Sequence, residues 1–155
     1  MPLRPGDPTP TVSAPNQNGT AVELRFEDPT VLFFYPRDGT PGCTTEAVQF
    51  EVEREAYAEA GVAAYGVSTD PIEAHETFAE EEALTIPLLA DPDGEVAAAF
   101  GVPLENGRAA RTSFALVDGT VHRVYEEVEP DGHARRVLED LLEDGVVELD
   151  WYEPP

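Results

Sequence analysis

Residues 31–46 have the sequence VLFFYPRDGTPGCTTE. The first five residues of this stretch are apolar throughout, and an apolar run of that length is typical of a strand buried on both faces. A turn rich in proline and glycine follows the run. Cys43, the only cysteine of the chain, then begins a helical pattern. The stretch therefore predicts a strand, a turn and a helix start, with a solitary thiol at the junction.

Strand and helix patterns alternate on either side of this stretch. Before it, we expect a β-hairpin with strands near residues 11–12 and 21–24 around a turn at 16–19. After it, we expect helices at 43–60, 71–84, 94–100 and 130–143, and strands at 62–68, 86–89, 113–117 and 120–125. Gly61 is expected to cap the first of these helices at its C-terminus, and Asp70 to cap the second at its N-terminus. Asp118-Gly119 is a strong hairpin signal between the last two strands.

The order of these elements predicts an α/β domain in which helices cover both faces of a mixed sheet. Thioredoxin-like architecture has this order: a three-layer fold with a mixed central sheet, here preceded by an N-terminal β-hairpin. A chain of 155 residues is expected to be one domain, residues 1–155. Residues 148–155 form a C-terminal tail that contains Trp151 and Tyr152. The tail is expected to dock on the domain, with a subunit contact as the alternative.

Charge is the second strong feature of the chain. There are 32 acidic residues against nine basic ones, all arginine, which gives a formal charge of −23. Neighbouring carboxylates, such as those in the block 80–82, repel one another in dilute salt. At about 1 M salt the Debye length falls to about 3 Å, so this repulsion largely disappears. The composition predicts a protein of a halophilic cytoplasm.

The same composition excludes several classes of partner and site. Nucleic acid and anionic membranes require positive charge on the protein, so neither is expected as a partner. No apolar run is long enough to span a bilayer, and the N-terminus has no secretory signal, which favours the cytoplasm. The three histidines are scattered, so no metal and no cofactor is expected. A single cysteine excludes an internal disulfide.

The surroundings of Cys43 suit a reactive thiol. The first turn of a helix offers unpaired N–H groups and the positive end of the helix dipole, and both favour the thiolate. Thr40 can point its hydroxyl into the same pocket, Pro36 stiffens the loop, and Glu46 can orient local donors or complement the dipole. The alternative is a small buried hydrophobic cysteine without chemistry. The convergence of special residues on one turn argues against that alternative.

Pro36, Thr40 and Cys43 match the Pro-x-x-x-Thr/Ser-x-x-Cys motif of peroxiredoxins. The longer run at residues 34–46 resembles the bacterioferritin-comigratory, or Q-type, subfamily. Further resemblances lie in the N-terminal hairpin, at residues 66–68 and 100–102, and at residues 111–114, where the subfamily carries its active-site arginine. The four parts together cover most of the chain.

The resemblance implies a thiol-dependent peroxidase that reduces hydrogen peroxide or organic hydroperoxides through a Cys43 sulfenic acid. Thr40 and the backbone N–H of Cys43 would hold the peroxide oxygens, and Arg111 would stabilise the thiolate and the charge that develops on the O–O bond. Arg108 is a neighbouring alternative that only the motif register disfavours. Pro36 would shape the loop, and Glu46 completes the expected catalytic set.

The chain departs from the Q-type pattern at one position. Many members carry a resolving cysteine five residues after the reactive one, where this chain has Val48. An external thiol, either a thioredoxin-like protein or a small thiol, would therefore reduce the sulfenic acid, and over-oxidation becomes a hazard. Two other functions stay open, a monothiol oxidoreductase of thioredoxin fold and an inactive peroxiredoxin-like stress protein. A cysteine hydrolase is disfavoured because no general base lies near Cys43 in sequence.

Overall fold

Nine strands and five helices make up residues 1–149, the part of the chain that the computed structural model describes. The strands are β1 (Val12–Pro15), β2 (Ala21–Leu24), β3 (Thr30–Phe34), β4 (Ala63–Ser68), β5 (Leu88–Ala90), β6 (Leu104–Glu105), β7 (Arg108–Ala109), β8 (Thr112–Val117) and β9 (Thr120–Tyr125). The helices are α1 (Pro41–Val52), α2 (Arg54–Glu59), α3 (Ile72–Glu82), α4 (Glu95–Phe100) and α5 (His133–Glu143).

The central sheet has five strands in the order β5-β4-β3-β8-β9. β3 pairs parallel with β4, and β4 with β5, whereas β8 pairs antiparallel with both β3 and β9. β1 and β2 form the N-terminal hairpin, whose turn is held by the Asn16 carboxamide accepting two backbone N–H groups. The predicted thioredoxin-like fold with a mixed sheet and an N-terminal hairpin is confirmed.

The central strand β3 is buried on both faces, as its apolar sequence predicts. Val31 and Phe33 face a cluster formed with α1, α2, α3 and α5. Leu32 and Phe34 face a second cluster, formed with α4 and the N-terminal hairpin. The Phe33 ring stacks on Phe50 of α1 with centroids 4.1 Å apart, which seats α1 on the strand that precedes it. This packing fixes the helix start, where Cys43 lies.

The helix predicted at residues 43–60 is two helices. Glu53 leaves helical geometry with φ −87° and ψ 1°, so α1 ends before it and α2 begins after it. Gly61, with φ +75°, follows the end of α2 as predicted. The Glu51 carboxylate, on the polar face of α1, accepts hydrogen bonds from the Thr85 N–H at 2.7 Å and the Ile86 N–H at 2.9 Å. A glutamate placed on the polar face thus ties α1 to the segment before β5.

The predicted N-cap of α3 is wrong. Pro71 occupies the cap position and no described side chain caps the helix, since the carboxylate of Asp70 is bound to other groups. The small hairpin of β6 and β7 was not expected from the sequence. α5 begins at residue 133 rather than at 130, after Gly132 with φ +80°.

The end of the described chain packs on the domain. Val147 and Leu149 are buried in the cluster on the α1 and α5 side of the sheet. Trp151 and Tyr152, the residues on which the tail prediction depends, lie outside the described residues, and the single-domain boundary stays a prediction. No helix within residues 1–149 combines the length and the apolarity needed to cross a membrane.

Candidate active site

Cys43 lies in the first turn of α1, directly after the loop that leaves β3. Its side chain is 1% exposed. Thr40 is the N-cap, and its carbonyl oxygen accepts the N–H of Thr44 at 2.8 Å, which closes the first turn around the sulfur. The sulfur is therefore held at the positive end of a helix and shielded from bulk water.

Arg111 reaches Cys43 from the segment between β7 and β8. Its Nη2 donates to the Cys43 sulfur at 3.3 Å, and its Nη1 donates to Oε1 of Glu46 at 2.7 Å. Burial lowers the pKa of Arg111, but the neighbouring Cys43 and Glu46 outweigh burial, so the net shift is upward. The guanidinium thus stays charged and lies between the thiol and the carboxylate.

Glu46 is the most buried charged group of the site, with 0% exposure. It lies one helical turn after Cys43 and accepts Arg111 through one oxygen. The other oxygen, Oε2, is buried and finds no hydrogen-bond partner in the described part of the chain. Burial raises the pKa of Glu46 to about 7, against the opposing effect of Arg111. The carboxyl group therefore titrates near neutral pH inside the site.

The remaining predicted residues lie on the loop before α1. Pro36 follows the end of β3, and the Thr40 hydroxyl donates to the carbonyl oxygen of Arg37 at 3.0 Å. Arg108, the alternative to Arg111, pairs instead with Asp70 at 2.9 Å. The structure thus brings Arg111 to the sulfur and Glu46 to Arg111, and it places Arg108 in a separate group.

Two residues near Arg111 were not assigned from the sequence. A Cβ on Gly42 would lie 3.1 Å from Arg111 Nη2, a contact tight enough that the guanidinium would have to shift by a few tenths of an ångström. His133 Nε2 lies 2.9 Å from the Ser113 hydroxyl, two residues after Arg111. Burial lowers the pKa of His133 to about 4, so its ring is neutral near pH 7. The glycine stands in the motif itself, whereas no sequence signal marks the histidine.

This arrangement can stabilise an anionic sulfur and charge developing on an oxygen that the sulfur attacks. A thioredoxin-like fold with one buried thiol at a helix start, a bridging arginine and no second cysteine defines a single-thiol redox enzyme.

Comparison with known proteins gives the family. Residues 5–124 match the model of the AhpC/TSA family. Peroxiredoxin Bcp of Escherichia coli K12 is 38% identical over 142 residues, with 90% of this chain and 88% of the relative covered. The crystal structure of peroxidoxin BcpB from Mycobacterium tuberculosis is 37% identical, with a TM-score of 0.84 over 91% of this chain and 97% of that one. A Xanthomonas campestris bacterioferritin comigratory protein, studied for alkyl peroxide reduction, is 31% identical, with a TM-score of 0.80 over 86% and 91%.

The chain belongs to the AhpC/TSA family and is a peroxiredoxin of the Bcp or Q type. Its activity is that of a thiol-dependent peroxidase, which requires a peroxide substrate and a thiol reductant. The single cysteine of the sequence is consistent with a one-cysteine mechanism. The predictions of family, fold and enzyme class are confirmed, and the two alternative functions are superseded.

Proposed function

We propose that Cys43 is the peroxidatic nucleophile, and that Arg111, Thr40, Glu46 and Pro36 form its catalytic surroundings. The observation that carries this proposal is the Arg111 guanidinium, 3.3 Å from the sulfur and 2.7 Å from Glu46. A cation held at this distance stabilises the thiolate before reaction. It also faces the position where charge develops as the O–O bond breaks.

In the first step the Cys43 thiolate attacks the terminal oxygen of the peroxide. The S–O bond forms and the O–O bond breaks, so that the sulfur becomes a sulfenic acid and the peroxide leaves as hydroxide or alkoxide. The leaving group takes up a proton, equivalent to the one lost when the thiol ionised, and departs as water or alcohol. The sulfur is oxidised by two electrons, and the peroxide is reduced by the same two.

Thr40 and Glu46 take complementary parts in this step. The Thr40 hydroxyl donates its proton to the backbone carbonyl oxygen of Arg37, so the hydroxyl oxygen of Thr40 can accept a hydrogen bond from the peroxide. Glu46 holds the other end of the guanidinium and orients it toward the sulfur. Pro36 restricts the loop that carries Thr40.

An external thiol completes the cycle. One thiol condenses with the sulfenic acid to release water and form a mixed disulfide, and a second thiol reduces that disulfide to regenerate Cys43. The lack of another cysteine supports this route. The reductant is a thioredoxin-like protein or a small thiol, and the substrates are hydrogen peroxide and, by analogy with the Xanthomonas relative, alkyl hydroperoxides.

The high acidic charge supports a halophilic cytoplasm as the place of action, without nucleic acid or membrane as partner. The expected tail contact at residues 148–155 and the absence of a cofactor or metal stay predictions.

Titration of the reduced protein with hydrogen peroxide, followed by intact mass, tests the proposal. We expect one oxygen atom to be added per chain at stoichiometric peroxide, trapped by a sulfenate reagent, and no addition in Cys43→Ser. Arg111→Ala is expected to slow the reaction by about 100-fold, the order of loss when a transition-state donor is removed.

Arg25→Ala is the matched control, because Arg25 is exposed and its ion pair is with Glu23, next to it on the N-terminal hairpin. Its rate should equal that of the native protein. Equal slowing in the two arginine variants would show a general effect of charge and would contradict the role of Arg111.

A further inference from the structure

A cluster of three titratable side chains lies beside the loop that carries Thr40. Asp38, Asp70 and His75 bring one oxygen or nitrogen atom each to within 4.8 Å of one another. The side chains are 7%, 7% and 0% exposed. The chemistry proposed for Cys43 uses none of them, so their burial calls for a separate reason.

His75 is fixed by an acceptor at each ring nitrogen. Nε2 lies 3.0 Å from the carbonyl oxygen of Leu89, which can only accept, so Nε2 carries a proton. Nδ1 lies 2.6 Å from Oδ2 of Asp38, and a contact of this length requires one proton between the two atoms. The ring is therefore locked in one orientation, with Nδ1 aimed at the loop.

Asp38 is held at three points as a result. Oδ2 faces His75, Oδ1 accepts the Tyr35 hydroxyl at 2.6 Å, and the backbone N–H donates to Oδ2 of Asp70 at 2.8 Å. Asp38 lies two residues before Thr40, on the same loop. These contacts therefore fix the backbone that presents Thr40 to the site.

Asp70 connects this loop to the segment that carries Arg111. Its Oδ1 accepts Arg108 at 2.9 Å, and its Oδ2 accepts the Ser68 hydroxyl at 2.7 Å. Arg108 begins β7, and Arg111 follows three residues later. A second contact joins the same regions, since the Thr69 hydroxyl donates to the carbonyl oxygen of Gly107 at 2.7 Å. One network thus fastens both chain segments that converge on Cys43.

A metal site is the competing interpretation of the three side chains. All four carboxylate oxygens of Asp38 and Asp70 already have hydrogen-bond partners within the described residues, and one partner is a guanidinium. A cation would have to displace these donors and lie beside the charge of Arg108. The contacts favour a hydrogen-bonded anchor.

We propose that His75 is a positioning residue for peroxide reduction, which acts through Asp38 to hold the Thr40 loop in register with Arg111. This inference rests on the function proposed for Cys43. The ring touches neither the sulfur nor the arginine, and its effect is on the relative placement of two groups that must meet one peroxide. A displacement of about 1 Å in such a site can cost about 100-fold in rate.

Two variants of His75 separate its two contacts. The amide nitrogen of an asparagine lies near the position of Nδ1, and that of a glutamine near Nε2. His75→Asn therefore keeps a donor toward Asp38, whereas His75→Gln keeps only the donor toward Leu89. We expect stopped-flow oxidation by hydrogen peroxide to slow at least about tenfold in the glutamine variant and to stay within about threefold of native in the asparagine variant.

The rate at which iodoacetamide alkylates Cys43 distinguishes a positioning role of His75 from a purely structural one. Because the sulfur is buried, loss of structure would speed its alkylation. A misplaced Thr40 loop would instead slow the oxidation of Cys43 by peroxide and leave the alkylation rate within about twofold of native. Phe100→Leu, in the core on the opposite face of the sheet, is the control for loss of stability alone.

Three outcomes overturn the inference: an unchanged peroxide rate in His75→Gln, a larger loss in the asparagine than in the glutamine variant, or equal loss in Phe100→Leu at equal thermal stability. A native protein that gives no sulfenic acid with peroxide would instead contradict the function proposed for Cys43, whatever the His75 variants do.

Discussion

Arg111 donates to the Cys43 sulfur and to the Glu46 carboxylate, and burial makes the negative charge of that carboxylate costly. Glu46 has no contact with solvent, and its Oε2 has no hydrogen-bond partner among residues 1–149, so the charged form is costly although an arginine lies 2.7 Å away. The raised pKa of Glu46, about 7, expresses this cost. In the unfolded chain the same carboxyl titrates near 4.5. The native state therefore binds this proton more tightly than the unfolded state does.

This difference predicts how stability depends on pH. Between pH 4.5 and pH 7 the native protein holds a proton that the unfolded chain has lost, so the Glu46 contribution to stability falls as pH rises through this window. Glu46→Gln retains an oxygen acceptor for Arg111 but cannot titrate. We expect denaturant unfolding at pH 5 and pH 8 to show a decrease in stability that is larger in the native protein than in the variant by about 2–3 kcal/mol.

The comparison with Glu46→Gln is needed because His133 acts in the opposite direction. Burial lowers the pKa of His133 from 6.5 to about 4. The stability that His133 contributes therefore rises with pH in that range and partly masks the decrease due to Glu46. Glu55→Gln, an exposed glutamate of α2, is the control and should leave the pH dependence as in the native protein. Equal pH dependence in Glu46→Gln and the native protein would show that Glu46 titrates normally.

At the scale of elements, α1 decides both where the thiol lies and what can resolve it. Val48, the position of the Q-type resolving cysteine, is five residues after Cys43 in the same helix and packs against the core. In a regular helix two Cα atoms five residues apart are separated by roughly 9 Å. A disulfide requires less than about 7 Å. A resolving cysteine here can act only if the start of α1 unwinds.

Val48→Cys tests this requirement. After oxidation by one equivalent of peroxide, we expect the variant to lose two hydrogen atoms in mass through a disulfide between Cys43 and residue 48, whereas the native protein gains one oxygen. Excess peroxide should drive the native protein, but not the variant, to sulfinic acid. The same disulfide should speed hydrogen exchange at the Thr44 amide, whose N–H donates to the Thr40 carbonyl oxygen and closes the first turn of α1.

Val52→Cys is the matched control, because this exposed position lies on the same helix but four residues further from Cys43. It should behave as the native protein does. Sulfinic acid in Val48→Cys at the native rate would mean that α1 does not open on the time scale of over-oxidation.

The elements that the sequence predicted well are those with one dominant signal. β3 is apolar on both faces, and the turn between β8 and β9 has Asp118 and Gly119, both with positive φ. The break at Glu53 has no such signal, because no glycine or proline marks it. The β6–β7 hairpin does contain the turn pair Asn106-Gly107, but its two-residue strands lack the alternating pattern that would have confirmed it.

The candidate site likewise contains residues that could be predicted from the sequence and residues that could not. The residues of the motif could be predicted because they are adjacent in sequence and resemble a family pattern. The Asp38, Asp70 and His75 cluster could not, because its members lie on different elements and meet only through the pairing of β3 with β4 and the placement of α3. Asp70 also resembled a helix cap in sequence, and its actual partners come from residues 38, 68 and 108.

At the scale of the whole molecule, the net charge of −23 means that repulsion between carboxylates opposes folding. A local example is the end of α3, where Glu80, Glu81 and Glu82 are exposed and the last helical turn contains no basic residue. The negative end of the helix dipole adds to the repulsion between these carboxylates. Both effects are electrostatic and act near the surface, so dissolved salt should weaken them.

We therefore expect the thermal midpoint of unfolding to rise by more than about 10 °C between dilute buffer and about 1 M KCl, where screening is nearly complete. The triple variant Glu80→Gln, Glu81→Gln and Glu82→Gln should unfold at a higher temperature than the native protein in dilute buffer and gain less from KCl. Screening saturates with concentration, whereas salting-out continues to grow and is stronger for sulfate, so a KCl series compared with potassium sulfate at equal ionic strength separates the two. A midpoint that is flat in KCl, or an equal gain in the native and triple variants, would show that carboxylate repulsion does not limit stability and would remove the ground for a halophilic setting.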